Sequence, residues 1–389
     1  MAAYIRQTAD VPYTSSLYAE SMTRPILTTL AQATPERLTT LLHESGALPI
    51  GQVSSVEQQP NTAFNSSIAH LTLTYSPDTP PDAPGALLLK LNADGWGEYE
   101  VAFYQLALEQ TRPVPSLVRC YATAFDEVSG ASHLLLEDLS VTHRIPLERE
   151  TTLRGDSVPS ERVCQDAVDA LAAFHAYWWQ HPALGTRKAG TMRPWYGNFE
   201  QHAAHVRRRE GEWAQFREHF AGALEPDLVR QLEGALAALP YLFSAYLEQR
   251  VSTLEHLTLT NGDAYFNQFL CTLEPGSHAY IVDFQEASAN LSTFDLVHLL
   301  ATFWTSAQRH EGGRERLLLE RYLGGLERGG VRGYGKADLE RDYRLMLSYI
   351  LLVPVWDATT GAAESYWRPK LRCLSEAHRD WNCVGLLEL

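Results

Sequence analysis

The sequence predicts an α+β fold in two parts: a small mixed N-terminal lobe built on an antiparallel sheet, and a larger, mainly helical C-terminal lobe. Three observations predict it. The chain has 389 residues, more than a single hydrophobic core usually serves. Short apolar runs bounded by turn residues recur between residues 53 and 137, the pattern of successive strands. Beyond residue 139 the apolar residues recur every three or four positions, the period of helices packed on a core. The division is expected at 1–138 and 139–389, and no internal repeat is visible.

The N-terminal lobe opens on a helix that Thr34 can cap, with Pro35 in its first turn and Gly46 just past its end. Strands are expected at 53–57, 68–75, 86–91, 117–124 and 133–137, with the Pro-rich stretch 76–85 as a hairpin tip. The third run, Ala86-Leu87-Leu88-Leu89-Lys90-Leu91, holds one lysine among apolar residues. A charge inside a buried strand is costly unless paired, so Lys90 needs an anion. A helix expected at 96–110 offers Glu100, with Glu98 as the competitor. The last strand ends as Leu134-Leu135-Leu136-Glu137-Asp138-Leu139.

In the C-terminal lobe, residues 147–159 are polar and read as a surface connection. A helix at 160–180 carries Val163, Ala167, Ala170, Leu171, Phe174 and Trp178 on one face, with Glu161 suited to the dipole at its start. His175 and the pair Trp178-Trp179 are expected to serve packing, since aromatics at helical spacing usually do. Further helices are expected at 195–221, 226–250, 314–326 and 338–353. Another begins near residue 292, where Ser292 or Thr293 can cap it.

The chemistry is concentrated in Asn261-Gly262-Asp263-Ala264-Tyr265-Phe266-Asn267-Gln268-Phe269-Leu270 and, ten residues on, Ile281-Val282-Asp283-Phe284-Gln285. Phosphoryl transfer asks a protein for positioning and charge neutralisation more than for covalent chemistry. Asp263 is placed to orient an attacking hydroxyl and accept its proton. Asp283, at the end of a short strand at 279–282, is placed to hold magnesium, and Gln268, five residues after Asp263, offers an amide oxygen to the same ion. Asn267 is the neighbouring amide. Aspartates in turns are common, so these letters carry weight only with the rest of the chain.

Taken in order, the motifs resemble the aminoglycoside phosphotransferase and choline kinase-like superfamily, closest to its ecdysteroid kinase-like bacterial branch. The resemblance runs from Thr34 to about Leu326. It is carried by Leu89-Lys90-Leu91, Glu100-Val101-Ala102-Phe103-Tyr104, Leu135-Leu136-Glu137-Asp138-Leu139, the stretch Leu171 to Trp179, and the pair Asp263 and Asp283. It implies a protein-kinase-like two-lobed fold. It also implies an ATP- and Mg2+-dependent kinase acting on a hydroxyl of a small molecule. In that family Lys90 would touch the nucleotide phosphates with Glu100 steadying it, the backbone of Glu137 and Leu139 would read the adenine edge, and Asp295 would brace the catalytic loop. The segment 61–67 would close over ATP through Ser66 and Ser67, because it contains no glycine. Asn261 stands where the family usually has His, Gln268 where it has Asn, and Tyr265 where it often has a second His. These departures leave an alternative: a kinase-like protein that binds a nucleotide or metabolite and has lost transfer.

Composition narrows the partners. A formal net charge of −15, with no basic cluster beyond Arg207-Arg208-Arg209, argues against nucleic acid and favours a neutral or cationic acceptor. That basic run reads as a solvated helix face. Five cysteines without Cys-x-x-Cys spacing indicate neither a zinc ribbon nor a disulfide framework, and with no signal peptide they point to the cytoplasm. No apolar run reaches the length of a membrane span. Trp304 and Trp356 are candidates for an acceptor pocket.

Overall fold

The structure is a computed structural model that describes residues 26–62, 66–93, 95, 97–155, 157–185, 197–220, 222, 224–273 and 278–387. It has the α+β architecture expected: an antiparallel sheet followed by a mostly helical remainder. Helix α1 (Pro35–Glu44) begins as expected, with the Thr34 hydroxyl accepting from the Arg37 amide at 3.4 Å. Strands β1 (Val53–Thr62), β2 (Ser67–Tyr75) and β3 (Ala86–Asn92) are followed by α2 (Gly97–Leu108), β4 (Cys120–Phe125) and β5 (Ser132–Glu137). The five strands pair antiparallel in the order β1-β2-β3-β5-β4.

Side chains of a strand alternate between faces, and this alternation places the site. Leu87, Leu89 and Leu91 of β3 and Leu135 of β5 face α1, where Leu38, Leu41 and Leu42 close one core. Leu134 and Leu136 face the other way, into a larger core that also contains Val101 and Phe103 of α2 and runs on through the helical half. Lys90 lies two residues after Leu88 and shares that second face. The lysine therefore points at α2 and the helical half.

The remainder comprises β6 (His143–Arg144), α3 (Arg149–Arg154), α4 (Glu161–Trp178), α5 (Phe199–Phe220), α6 (Pro226–Tyr246), α7 (Glu248–Thr253) and β7 (Leu257–Thr260). It continues with β8 (Phe269–Thr272), β9 (Tyr280–Ile281), β10 (Ser288–Leu291), α8 (Thr293–Leu300), α9 (Ser306–His310), α10 (Arg314–Arg328), α11 (Lys336–Ile350), α12 (Val353–Thr359) and α13 (Glu364–Asp380). Two small sheets, β10-β7 and β6-β8-β9, carry the loops of interest.

Several expectations are corrected. The strand expected from residue 117 begins at Cys120; Leu117 instead bridges Ile281, and the Ile281 amide donates to the Ser116 carbonyl at 2.8 Å. The connection at 147–159 contains the short helix α3, which Gly155 ends in the left-handed region at φ 64°. The helix expected at 226–250 breaks at Leu247 into α6 and α7. Neither Ser292 nor Thr293 caps α8: Ser292 is itself helical in backbone, so its hydroxyl does not fold back, and the Thr293 hydroxyl donates to the Asp342 carbonyl. In the basic run, Arg208 and Arg209 are not merely solvated, since both pair with the buried Glu212.

The break at Leu247 has a packing reason. It brings Arg250 of α7 onto Asp342 of α11 in a two-pronged pair, both bonds 2.8 Å, with the Tyr334 hydroxyl donating to the same carboxylate. Removing one partner of such a buried pair strands the other charge, at a cost of about 3–5 kcal/mol. Arg250→Met is therefore expected to lower unfolding stability by that amount in urea titration. An unchanged midpoint would show that the pair contributes nothing net.

Candidate active site

Two strand ends and one helix converge at the end of the sheet. Lys90 Nζ lies 2.7 Å from Glu100 Oε2 of α2 and 3.0 Å from Asp283 Oδ1, just past β9. Glu100 is buried and Glu98 is exposed, which decides between the two helix acids. Burial by itself would discharge Lys90, but the two carboxylates outweigh it and hold the ammonium protonated, above the usual lysine range. The same burial lifts the Glu100 carboxyl, against the pull of Lys90. Asp283 is the most open of the three and sits at φ 62°, in the left-handed region that a non-glycine residue enters only when its surroundings hold it there.

The loop after β7 is held from below. Asp295 of α8, fully buried, accepts from the amides of Asn261 at 2.7 Å and Gly262 at 2.9 Å, while His175 Nε2 of α4 lies 3.1 Å from the same carboxylate. His175 Nδ1 in turn meets the Tyr322 hydroxyl at 2.8 Å. This is the bracing contact expected of Asp295, and it gives His175 a supporting place in the packing. Asn261 does more than its sequence position suggested. Its Nδ2 donates to the carbonyls of Val282 and Asp283 at 3.1 and 3.0 Å, and its Oδ1 accepts from the Asp263 amide. One side chain thus ties the two acidic segments together.

Asp263, on this loop, is partly buried. Desolvation raises its carboxyl to about 6; Lys370 is the strongest opposing charge, Asp283 and Asp357 add to the rise, and Arg149 lowers it. Gln268 Nε2 lies 3.3 Å from Asp283 Oδ2. A half-turn of the amide would present its oxygen instead, since nitrogen and oxygen are near-equivalent in shape. Among the described residues no group of three or more His, Cys, Asp or Glu side chains is gathered to hold a metal. Magnesium, however, takes hard oxygen ligands and commonly needs only one or two carboxylates beside phosphates and water. The pair Asp283 and Gln268 fits that donor set.

Ser67 opens β2 and pairs in register with Leu91, one residue from Lys90; Ser66 precedes it, and Ala63, Phe64 and Asn65 lie outside the described residues. Glu137 ends β5 with its amide given to the Arg119 carbonyl, and the Leu139 carbonyl accepts from the Thr142 and His143 amides. Trp304 is buried and stacks on Phe266 at 5.5 Å, in a small pocket that also includes Tyr265, His298 and Phe303. Trp356 is half-buried on α12.

Sequence reasoning missed Glu286, Asp357 and Lys370. Glu286 precedes β10; desolvation by its neighbours, then repulsion from Asp263 and Asp283, raises its carboxyl to about 7. A signal for Lys370 was present: in α13 it shares the buried face with Trp367, Leu371 and Leu374.

Gly262 is required by its surroundings. It sits at φ 91°, and a Cβ there would lie 2.1 Å from the Glu286 carbonyl oxygen, a backbone atom that cannot step aside cheaply. Gly262→Ala is expected to cost roughly 2 kcal/mol of stability or more and to displace Asp263. Wild-type stability in urea, with unchanged activity, would refute that constraint.

None of the curated proteins matches the chain. Among solved structures, choline kinase from Cryptosporidium parvum Iowa II is similar at 9% identity and a TM-score of 0.52, over 86% of this chain and 91% of that one. The Plasmodium vivax ethanolamine kinase is 11% identical at a TM-score of 0.47, over 84% of each chain. The aminoglycoside phosphotransferase APH(2")-IIia, solved with GDP and kanamycin, is 16% identical at a TM-score of 0.48, over 90% of this chain and 97% of that one. The model of the phosphotransferase enzyme family matches residues 82–339, about two thirds of the sequence, and the chain belongs to that family.

Proposed function

We propose that the protein transfers the γ-phosphate of ATP, with magnesium, to a hydroxyl of a small molecule. The observation that carries this reading is the convergence of Lys90, Glu100 and Asp283 within 3.0 Å, beside a loop that presents Asp263 and is tied to Asp283 through Asn261. A nucleotide would lie between the two parts of the chain, divided at 138/139. Its phosphates would meet the Lys90 ammonium, with Ser66 and Ser67 at the covering turn. Its adenine would lie along the backbone at Glu137 and Leu139, where Glu137 has already given its amide to Arg119.

Asp283 and Gln268 would hold the metal. Magnesium, when bound, supplies the charge neutralisation that the β- and γ-phosphate oxygens need. Asp263 would orient the acceptor hydroxyl and take its proton as the oxygen bonds to the γ-phosphorus and the bond to the bridging oxygen of ADP breaks. A carboxyl raised to about 6 is a stronger base than an ordinary aspartate and is still largely ionised at neutral pH. Asn261 and Gln268 depart from the family pattern, but the contacts of Asn261 give it a positioning task in this loop. That favours the enzyme over a binding protein that has lost transfer.

Two measurements test the assignment. Asp263→Asn is expected to lower kcat by about 10²–10⁴ while leaving nucleotide affinity intact. It should also stabilise the metal-free protein by about 2 kcal/mol at pH 7.5. The sign follows from linkage: the folded state holds this proton more tightly, so stability declines as pH rises from about 4 through 6, and the amide avoids that loss. The acid limb of kcat should fall at or below about pH 6, the groups facing Asp263 being Lys370, Asp283, Asp357 and Arg149. Unchanged turnover in the variant would remove Asp263 from its role.

Calorimetry of ATP with and without magnesium, on the wild type and on Asp283→Ala, tests the metal site. Magnesium-dependent binding that the substitution abolishes supports the reading. ATP binding that ignores both magnesium and the substitution overturns the metal assignment.

A further inference from the structure

A second buried ammonium acts on Asp263. Lys370 of α13 is 2% exposed, and its Nζ lies 3.0 Å from Asp357 Oδ2 of α12, itself 2% exposed. The same nitrogen stands 5.0 Å from the ring centre of Tyr366 and 5.8 Å from that of Tyr265, with the Tyr366 hydroxyl at 3.4 Å. Phe303 completes the aromatic wall, edge-on to Tyr265 at 5.4 Å and 6.5 Å from Tyr366. Two tyrosine rings, a hydroxyl and one carboxylate gathered around a point are the chemistry that receives an ammonium ion. Here the chain supplies the ion itself.

Where this happens matters. Tyr265 is two residues from Asp263, and its amide donates to the Asp263 carbonyl, so the cage is built onto the candidate catalytic loop. Lys370 is also the strongest attractive charge that Asp263 feels. A second cation brought beside the reacting hydroxyl would meet a fixed like charge in a poorly solvated place, which is how a site rejects a wrong partner. The neighbouring pocket wall adds no further positive charge, because burial and then Lys370 hold His298 neutral, its pKa pushed down to about 3. The net charge of −15 draws cations toward the protein at long range, whereas the place that an ammonium would take among these rings is already held by Lys370.

We propose that Lys370 is a built-in ammonium filling an aromatic–carboxylate cage beside Asp263, and that it selects neutral alcohols as acceptors over alcohols bearing an ammonium group near the reacting hydroxyl. The cage stands on the geometry; the choice of acceptor rests on the phosphotransferase reading above.

The experiment separates the two. In Lys370→Ala the cage is emptied and Asp357 is left without its partner. Melting should fall relative to wild type, and ethylammonium chloride should restore it saturably where equal sodium chloride does not. The wild type should show no such difference between the salts. In the double variant Lys370→Met, Asp357→Asn, which buries no unpaired charge and keeps the fold accessible, ethylammonium should have no selective effect. Acceptor choice is then read with ATP and magnesium on a matched pair, ethylene glycol and ethanolamine. The wild type should favour the diol by at least tenfold in kcat/KM, and Lys370→Ala should shrink that ratio toward one.

Equal restoration by sodium and ethylammonium would overturn the cage. Wild-type preference for ethanolamine would overturn the selection. Selective restoration by ethylammonium, with no transfer to any alcohol, would uphold the cage and count against the phosphotransferase reading.

Discussion

The arrangement depends on a single buried cation. Lys90 sits in the middle strand of a sheet, on the face that leaves the α1 core, and its charge cannot be kept there without anions. One anion comes from the helix that follows in the chain, and the other from a segment 193 residues away. Meeting both fixes α2 against the sheet and fixes the sheet against the helical half. The Ser116 and Leu117 contacts with Ile281 reinforce that seam from the backbone. A requirement for charge neutrality at one residue thereby becomes a constraint on how the two parts of the molecule face each other.

The second organising group is Asp295, which converts a loop into a rigid presentation. Two adjacent amides donate to it, His175 lies against it from α4, and Tyr322 closes the chain of contacts from α10. Its direct partners come from the loop and from α4, with α10 joined through His175, so the loop bearing Asp263 inherits the rigidity of the helical core. Asn261 then couples this loop to the Asp283 segment, where the left-handed backbone of Asp283 is sustained by those contacts. Gly262 is the hinge of the arrangement, because only a residue without Cβ lets the Glu286 carbonyl come so close.

Electrostatically the cleft is a balance of two lysines and several acids. Lys90 faces Glu100 and Asp283, Lys370 faces Asp357, and Asp263 feels Lys370, Asp283 and Asp357, with its pKa raised chiefly by desolvation. Each ammonium is matched locally rather than by the overall negative charge of the chain. A pattern of this kind holds fixed charges where water is scarce, and there they act more strongly than the same charges on an open surface.

Much of this was legible in the residues. A lysine interrupting an apolar run, a capped helix with Thr34 and Pro35, alternating strands between residues 53 and 137, and acids beside the apolar runs at 263 and 283 are local signals, because secondary structure and burial are written in short periods. Those signals determined the α+β class, the order of elements and the candidate set Lys90, Asp263 and Asp283. Other features were decided only by the fold. The choice of Glu100 over Glu98 depends on how α2 is turned against the sheet. Asn261 is in sequence only a departure from pattern; folding brings its amide to two carbonyls some twenty residues further along the chain. Lys370 was visible as a charge on an apolar helix face, but its meaning depends on Asp357, Tyr366 and Tyr265. Tyr265 comes from a loop more than a hundred residues earlier in the chain, and no sequence period connects such residues. Sequence determines what each segment buries; only tertiary packing determines which buried charges meet.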